Sequence, residues 1–163
     1  MTHRPLTAFA PALAIALSSL LALPAFAQTG PVMAASAAPA ATTAPAGLYQ
    51  ALGEKAGITR LMDDFVDRLM KDPRIGVQFK DTKPAAFKES LRDQICQLSG
   101  GPCDYKGADM KSAHADMDIN KGHFNALVEV LQAAMDAQGI PFAQQNRLLA
   151  LLAPMHRDVI TLR

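Results

Sequence analysis

Apolar residues recur at steps of three and four from about Gly47 onward, and no long segment alternates between apolar and polar positions. The first long segment shows the pattern most clearly, with acidic and basic residues on the opposite face. Its apolar stripe consists of Ile58, Leu61, Met62, Phe65, Leu69 and Met70. This spacing predicts a long amphipathic helix at the start of an all-α domain.

A second helix is predicted from start and stop signals at its two ends. Thr82 is expected to cap it, with Pro84 in the first turn, and the Gly-Gly-Pro sequence at residues 100–102 should end it. Its apolar stripe consists of Phe87, Leu91, Ile95 and Leu98, with Gln94 on the same face. The helix should therefore bury one face that is almost entirely apolar.

Three more helices are predicted in the rest of the chain. A short one is expected over residues 109–117. Asn120 should cap a longer one that ends near Gly139, where glycine favours a helix terminus. The last begins at about Phe142 and should be kinked at Pro154, because proline lacks a backbone donor and clashes with the preceding turn. The pattern thus indicates a fold made of helices alone.

The N-terminal residues have the three parts of a secretory signal. Arg4 precedes an apolar run over residues 12–23, and Ala25-Phe26-Ala27 fits the pattern of a cleavage site. A bilayer-spanning helix needs about 20 apolar residues, which is more than this run contains. We therefore predict a cleaved signal peptide over residues 1–27, no stable membrane span afterwards, and an exported protein that is periplasmic or secreted.

Composition separates a linker from the folded domain and excludes one class of partner. Residues 28–46 are rich in Ala, Pro and Thr and carry no charge, which is typical of a linker. A single domain is therefore predicted over residues 47–163. The chain has 16 Lys or Arg against 15 Asp or Glu, so its formal charge of +1 lacks the basic footprint of a nucleic-acid binder.

Histidine and cysteine supply the candidate chemistry. Outside the signal the histidines are His114, His123 and His156, and no His or Cys pair has the spacing of a zinc site. His114 and His156 are expected on apolar stripes, where a histidine is either a hydrogen-bonded core residue or a ligand. Cys96 and Cys103 bracket the predicted helix end, and the sequence leaves open whether they form a disulfide.

Several short motifs together resemble one known family, the group 1 truncated haemoglobins. The similarity runs from about Leu48 to Ile160, without a large gap. The motifs are Leu48-Tyr49-Gln50-Ala51-Leu52-Gly53, Phe65, Asp72 with Arg74-Ile75, Phe79, Gly100-Gly101-Pro102 with Tyr105 and Gly107, and Met110-Lys111-Ser112-Ala113-His114. The resemblance implies a truncated globin, a two-over-two helical sandwich around haem b.

The resemblance also implies roles for particular residues. His114 ends the family's Met-x-x-x-His motif and is the expected proximal ligand of the iron, with Met110 in the apolar wall beside it. His123 and His156 are expected to be structural. The side chains expected on the distal side of the haem are Phe79, Phe87, Leu91 and Val66.

The distal residues depart from the family in a way that bears on function. Val66 occupies the position where many members have a tyrosine, and neither Val66, Phe87 nor Leu91 can donate a hydrogen bond. Gln94 is the one polar side chain on that helix face, and we expect its amide to stay bonded to backbone. The sequence therefore predicts an apolar pocket that retains oxygen weakly and prefers carbon monoxide.

These features predict a haem-b protein that reversibly binds a diatomic gas, namely oxygen, nitric oxide or carbon monoxide, with electrons from an unidentified reductase. A haem enzyme with nitric-oxide dioxygenase or peroxidase-like activity is the alternative at the same iron. Peroxide cleavage needs a distal acid, base or cation, and Arg92 should point away from the buried stripe. A haem-free helical interaction module is the third possibility.

Overall fold

The structure is a computed structural model that describes residues 44–162. Its elements are α1 (Leu48–Ala51), α2 (Glu54–Lys71), α3 (Pro84–Leu98), α4 (Met110–His114), α5 (Lys121–Ala137), α6 (Phe142–Leu152) and α7 (His156–Val159), with 3₁₀ turns at Gly76–Phe79 and Ala153–Met155. Within these residues there is no strand, as the periodicity predicts. The predicted signal peptide and all but the last three residues of the predicted linker lie outside the described residues.

Helix α2 is the centre of the packing. It lies against α3 on one side and α5 on another, and α1 contacts both α2 and α6. Its predicted apolar stripe is buried except for the partly buried Met70, and Leu61 and Leu69 are fully inaccessible to solvent. Burial of these side chains stabilises the domain through the hydrophobic effect. None of the described helices is long and apolar enough to cross a membrane.

Two helix starts show how local sequence sets the boundaries. Asn120 caps α5 as predicted, since its side chain accepts a hydrogen bond from the His123 backbone N–H at 2.9 Å. The His123 ring accepts one from the Asn120 N–H in return, which completes a capping box. Thr82 does not cap α3. The cap position is Lys83, which is extended because the residue before a proline avoids the helical region.

The beginning of α2 holds a strained residue. Gly53 has φ +79°, which glycine adopts without cost, but Glu54 follows with φ +56°. A side chain in this left-handed region costs about 1–3 kcal/mol. The backbone at Glu54 therefore adopts a conformation that suits glycine better than a residue with a side chain.

The last helical segment is interrupted where the proline predicts. The helix α6 stops at Leu152, and a 3₁₀ turn that contains Pro154 precedes α7. The turn changes the helical register, so His156 is exposed rather than on a buried stripe. Its ring packs edge-on against Phe124, with ring centroids 6.1 Å apart. The expectation of an apolar environment for His156 was therefore wrong.

Candidate functional site

A cavity of about 810 Å³ opens between the helices. This volume lies within the roughly 300–1,000 Å³ that is typical of small-molecule and cofactor sites. Its lining is mainly apolar and comes from α2 through α7 and both 3₁₀ turns. The site residues placed there from the sequence are Phe79, Phe87, Leu91, Met110 and His114.

One wall of the cavity is formed by α4, whose start is fixed by Asp109. The Asp109 carboxylate accepts hydrogen bonds from the Ser112 backbone N–H at 2.9 Å and from the Ser112 hydroxyl at 2.8 Å. These bonds to Ser112 lower the pKa of the Asp109 carboxyl, because they stabilise its charged form. The helix runs only from Met110 to His114 and is shorter than the predicted 109–117 segment.

His114 lies at the end of α4, half-buried, and lines the cavity. Its Nδ1 is 2.7 Å from the backbone carbonyl oxygen of Met110. Because a carbonyl oxygen only accepts, Nδ1 carries the proton and donates it to this bond. In the neutral ring, Nε2 is then the nitrogen with a free lone pair, which is the form of imidazole that ligates a metal.

A second wall of the cavity, from the first 3₁₀ turn and α3, is aromatic and aliphatic. The rings of Phe79 and Phe87 stack with their centroids 5.3 Å apart and their planes 24° from parallel. Leu91 follows Phe87 by one turn of α3 and lines the same cavity. This wall excludes water and, at these three positions, offers no hydrogen-bond donor.

Gln94 also lines the cavity, and its contact differs from the expected one. Its side chain is 9% exposed, and the Nε2 amide donates to the Met110 sulfur at 3.6 Å rather than to backbone. A thioether is a weak acceptor, so this bond is weaker than one to a carbonyl oxygen. The contact nevertheless connects α3 with α4, the helix that carries His114.

Val66 is the one predicted distal residue that does not line the cavity. Its side chain is fully buried in the core of the domain, while Met62 and Phe65 of the same helix line the cavity instead. Adjacent residues on a helix point about 100° apart, so α2 directs Phe65 to the cavity and Val66 to its neighbours. Val66 therefore lies beside the cavity-lining residues of α2 without lining the cavity itself.

Charged groups are scarce at the cavity. Among the described residues that line it, Glu129 is the only carboxylate, and neither lysine nor arginine is present. The Glu129 carboxylate pairs with Arg74, whose pKa is raised by hydrogen bonds to Asp72 and Glu129. Arg92 pairs with Asp63 on α2 and lies outside the lining, as its position off the apolar stripe predicts.

The cysteines form a disulfide. Cys96 in the last turns of α3 is bonded to Cys103 in the following loop, with a Cα–Cα distance of 5.8 Å. The same loop contributes Tyr105 to the cavity lining. Tyr105 belongs to one of the motifs that resemble the truncated haemoglobins, and no role at the site was predicted for it.

Other lining residues were recognisable from the sequence only as core. They are apolar residues at helical spacing on α5, on α6 and in the turn after it, namely Phe124, Leu127, Leu131, Leu149, Leu152 and Met155. Their helical spacing predicts burial but does not separate a side chain that faces a cavity from one that faces another helix.

An all-helical domain with an apolar cavity and one imidazole in its lining defines a class, the cofactor-binding helical proteins.

Comparison with known proteins identifies the family. The model of the bacterial-like globin family matches residues 47–161. Group 1 truncated hemoglobin GlbN of Synechocystis sp. is 31% identical over 119 residues, which cover 69% of this chain and 96% of that protein. Because the family match extends over most of the chain, the protein belongs to the bacterial-like globins, and its relatives are group 1 truncated haemoglobins.

Solved structures agree with this assignment. The Fe(III) form of truncated hemoglobin from Tetrahymena pyriformis superimposes with a TM-score of 0.67 at 27% identity, covering 69% of this chain and 97% of that chain. The 2/2 hemoglobin of Synechococcus sp. was solved with covalently attached heme. It superimposes with a TM-score of 0.67 at 22% identity, and the match covers 71% of this chain and 98% of that chain. The predicted two-over-two globin fold is confirmed.

The cofactor of this family is haem with its iron, and the described residues fit it. The cavity lining is mainly apolar, as a porphyrin ring requires, and the His114 imidazole lines it with Nδ1 bonded to a backbone carbonyl. Phe79, Phe87 and Leu91 would contact the ring from the α3 side, and Met110 from the α4 side. The residues that line this cavity are therefore compatible with haem.

Proposed function

We propose that the protein binds a diatomic gas, oxygen, nitric oxide or carbon monoxide, at the iron of haem b held by His114. The supporting observation is the 2.7 Å hydrogen bond from His114 Nδ1 to the Met110 carbonyl. This bond fixes both the tautomer and the ring orientation, and it raises the basicity of Nε2 toward a metal. When bound, haem would be held by His114 and would supply an iron that can bind a small gas ligand.

The second wall of the cavity, formed by aromatic and aliphatic side chains, excludes water and tunes the affinity for the gas. Phe79, Phe87 and Leu91 surround that side with apolar surface and donate no hydrogen bond. Bound oxygen carries partial negative charge and gains from a nearby donor, whereas carbon monoxide gains little. We therefore expect weak oxygen retention, ready oxidation to ferric haem and a strong preference for carbon monoxide over oxygen.

The described residues favour ligand binding over peroxide reduction. Cleavage of a peroxide bond is assisted by a distal acid, base or cation. Glu129 is the only carboxylate among the described lining residues, its side chain is 59% exposed, and it is bound to Arg74. Arg92 is held by Asp63 on the far side of the apolar stripe. A nitric-oxide dioxygenase would use the same iron with an external reductase.

We also propose that the protein is exported and acts in an oxidising compartment, either the periplasm or outside the cell. The N-terminal 27 residues have the organisation of a signal peptide. The Cys96–Cys103 disulfide supports this location independently, because such bonds persist in oxidising compartments and are rare in the cytosol.

Absorbance spectroscopy tests the proposed function. The purified domain, mixed with one equivalent of haem and passed over a size-exclusion column, should retain a Soret band that shifts when the reduced protein is exposed to carbon monoxide. Loss of haem on the column would contradict haem binding. A retained Soret band that does not respond to carbon monoxide or nitric oxide would contradict gas binding alone.

A further inference from the structure

Helix α3 contacts the segment that follows it at three successive points, and that segment carries His114. The Cys96–Cys103 disulfide fixes the start of the loop, and the Gln97 side-chain oxygen accepts a hydrogen bond from the Tyr105 backbone N–H at 2.6 Å. Farther along, the Gln94 amide donates to the sulfur of Met110, the first residue of α4, at 3.6 Å. We call these three contacts the α3 clamp. The disulfide is its only covalent member.

The segment depends on such contacts because α4 is very short. It contains five residues, and a helix of that length has no stability of its own in water. Outside the α3 clamp it packs mainly against α7, another short helix near the end of the described chain. The position of His114 is therefore set by the elements that α4 touches rather than by the helix itself.

The loop is packed closely around the disulfide. A Cβ atom at Gly101 would lie 2.6 Å from the Cys96 sulfur and 2.5 Å from the Tyr49 ring, so only glycine fits there. Cys96 is 1% exposed, whereas Cys103 is partly accessible to solvent. A small thiol can thus approach the disulfide from the Cys103 side. Reduction of the disulfide would remove the covalent link that holds the loop in this closely packed position.

We propose that the Cys96–Cys103 disulfide positions His114 for the haem iron, so that its reduction loosens haem binding and makes haem retention sensitive to thiols. This inference rests on the proposed function, in which His114 is the iron ligand. The reductant is a dithiol. Its two sulfurs become a disulfide as the two electrons and two protons convert Cys96 and Cys103 into thiols.

The first test measures haem loss from the ferric protein to a large excess of a haem-free acceptor globin. Treatment with a dithiol should speed haem loss at least tenfold. The double variant Cys96→Ala with Cys103→Ala should lose haem at the faster rate with or without the dithiol, which separates the disulfide from effects of the reductant on iron. Rates within twofold of each other in oxidised and reduced protein would overturn the proposal.

The second test separates positioning from general loss of stability. Met135 is fully buried and does not line the cavity, so Met135→Ala destabilises the domain without touching the α3 clamp. Reduction should shift or broaden the iron–imidazole stretching band of the ferrous protein, and Met135→Ala should leave it unchanged. The proposal is overturned if Met135→Ala speeds haem loss and alters the band as much as reduction does.

The same spectrum separates this inference from the proposed function. If His114→Gly retains the wild-type iron–imidazole band, His114 is not the ligand and both proposals fail. If His114→Gly abolishes the band while reduction of the disulfide changes neither band nor haem loss, the proposed function stands and this inference fails.

Discussion

A hydrogen-bond donor introduced at Leu91 should convert the apolar pocket into one that retains oxygen. Leu91 is half-buried and lines the cavity one turn after Phe87. Leu91→Gln keeps nearly the same volume and adds an N–H donor. A net hydrogen bond contributes about 0.5–1.5 kcal/mol, and more to a charged acceptor. Since bound oxygen is partly charged, we take about 1.4 kcal/mol, which corresponds to roughly tenfold slower oxygen release.

The matched control is Leu91→Met, which preserves size but adds no N–H donor. Oxygen release is measured by mixing the oxygenated protein with carbon monoxide in a stopped-flow instrument, and carbon monoxide binding by flash photolysis. Leu91→Gln should slow oxygen release about tenfold relative to Leu91→Met, which corresponds to a hydrogen-bond free energy of about 1.4 kcal/mol. Carbon monoxide binding should stay similar in both variants.

Two results would contradict the prediction for Leu91→Gln. Equal oxygen release from Leu91→Gln and Leu91→Met would mean that residue 91 does not face the bound ligand. Slow release from the unmodified protein would mean that the pocket already contains a donor. If Gln94 is that donor, Gln94→Leu should speed release about tenfold, or about 1.4 kcal/mol.

Three further predictions concern stability and processing. The denatured, unreduced protein should show no free thiol, and two titratable thiols would disprove the disulfide. Reduction of Cys96–Cys103 should lower the free energy of unfolding by about 2.5 kcal/mol, which is the chain-entropy value for a loop this short. Glu54→Gly should raise the midpoint of urea unfolding, because it relieves about 1 kcal/mol of strain at a positive φ, whereas Glu54→Ala should not. Mass spectrometry of protein recovered from its native cell envelope should give a chain that begins at Gln28, and a mass that includes residues 1–27 would contradict export with cleavage.

The sequence predicted the features that depend on local interactions. The cap at Asn120, the interruption at Pro154 and the all-helical fold follow from spacing and side-chain chemistry within a few residues. The identity of His114 as the candidate ligand came from a shared motif. Its bond to the Met110 carbonyl is also local, since the two residues are one turn apart.

The features that the sequence did not predict depend on how helices are placed relative to one another. Val66 and Phe65 are both buried residues of α2, and only the packing of the neighbouring helices decides which one reaches the cavity. The bond between Gln94 and Met110 joins two helices across a loop. The pairing of Cys96 with Cys103 likewise required the Cα–Cα distance, because spacing alone does not give it.

The most direct test of the account is the spectrum of His114→Gly beside that of His123→Ala. His114 lines the cavity, whereas His123 completes the cap of α5 and does not. We predict that His114→Gly loses the normal Soret and iron–imidazole bands and that added imidazole restores them, while His123→Ala keeps both bands with some loss of stability. Normal bands in His114→Gly, or equal loss in the two variants, would contradict the assignment of His114 as the iron ligand.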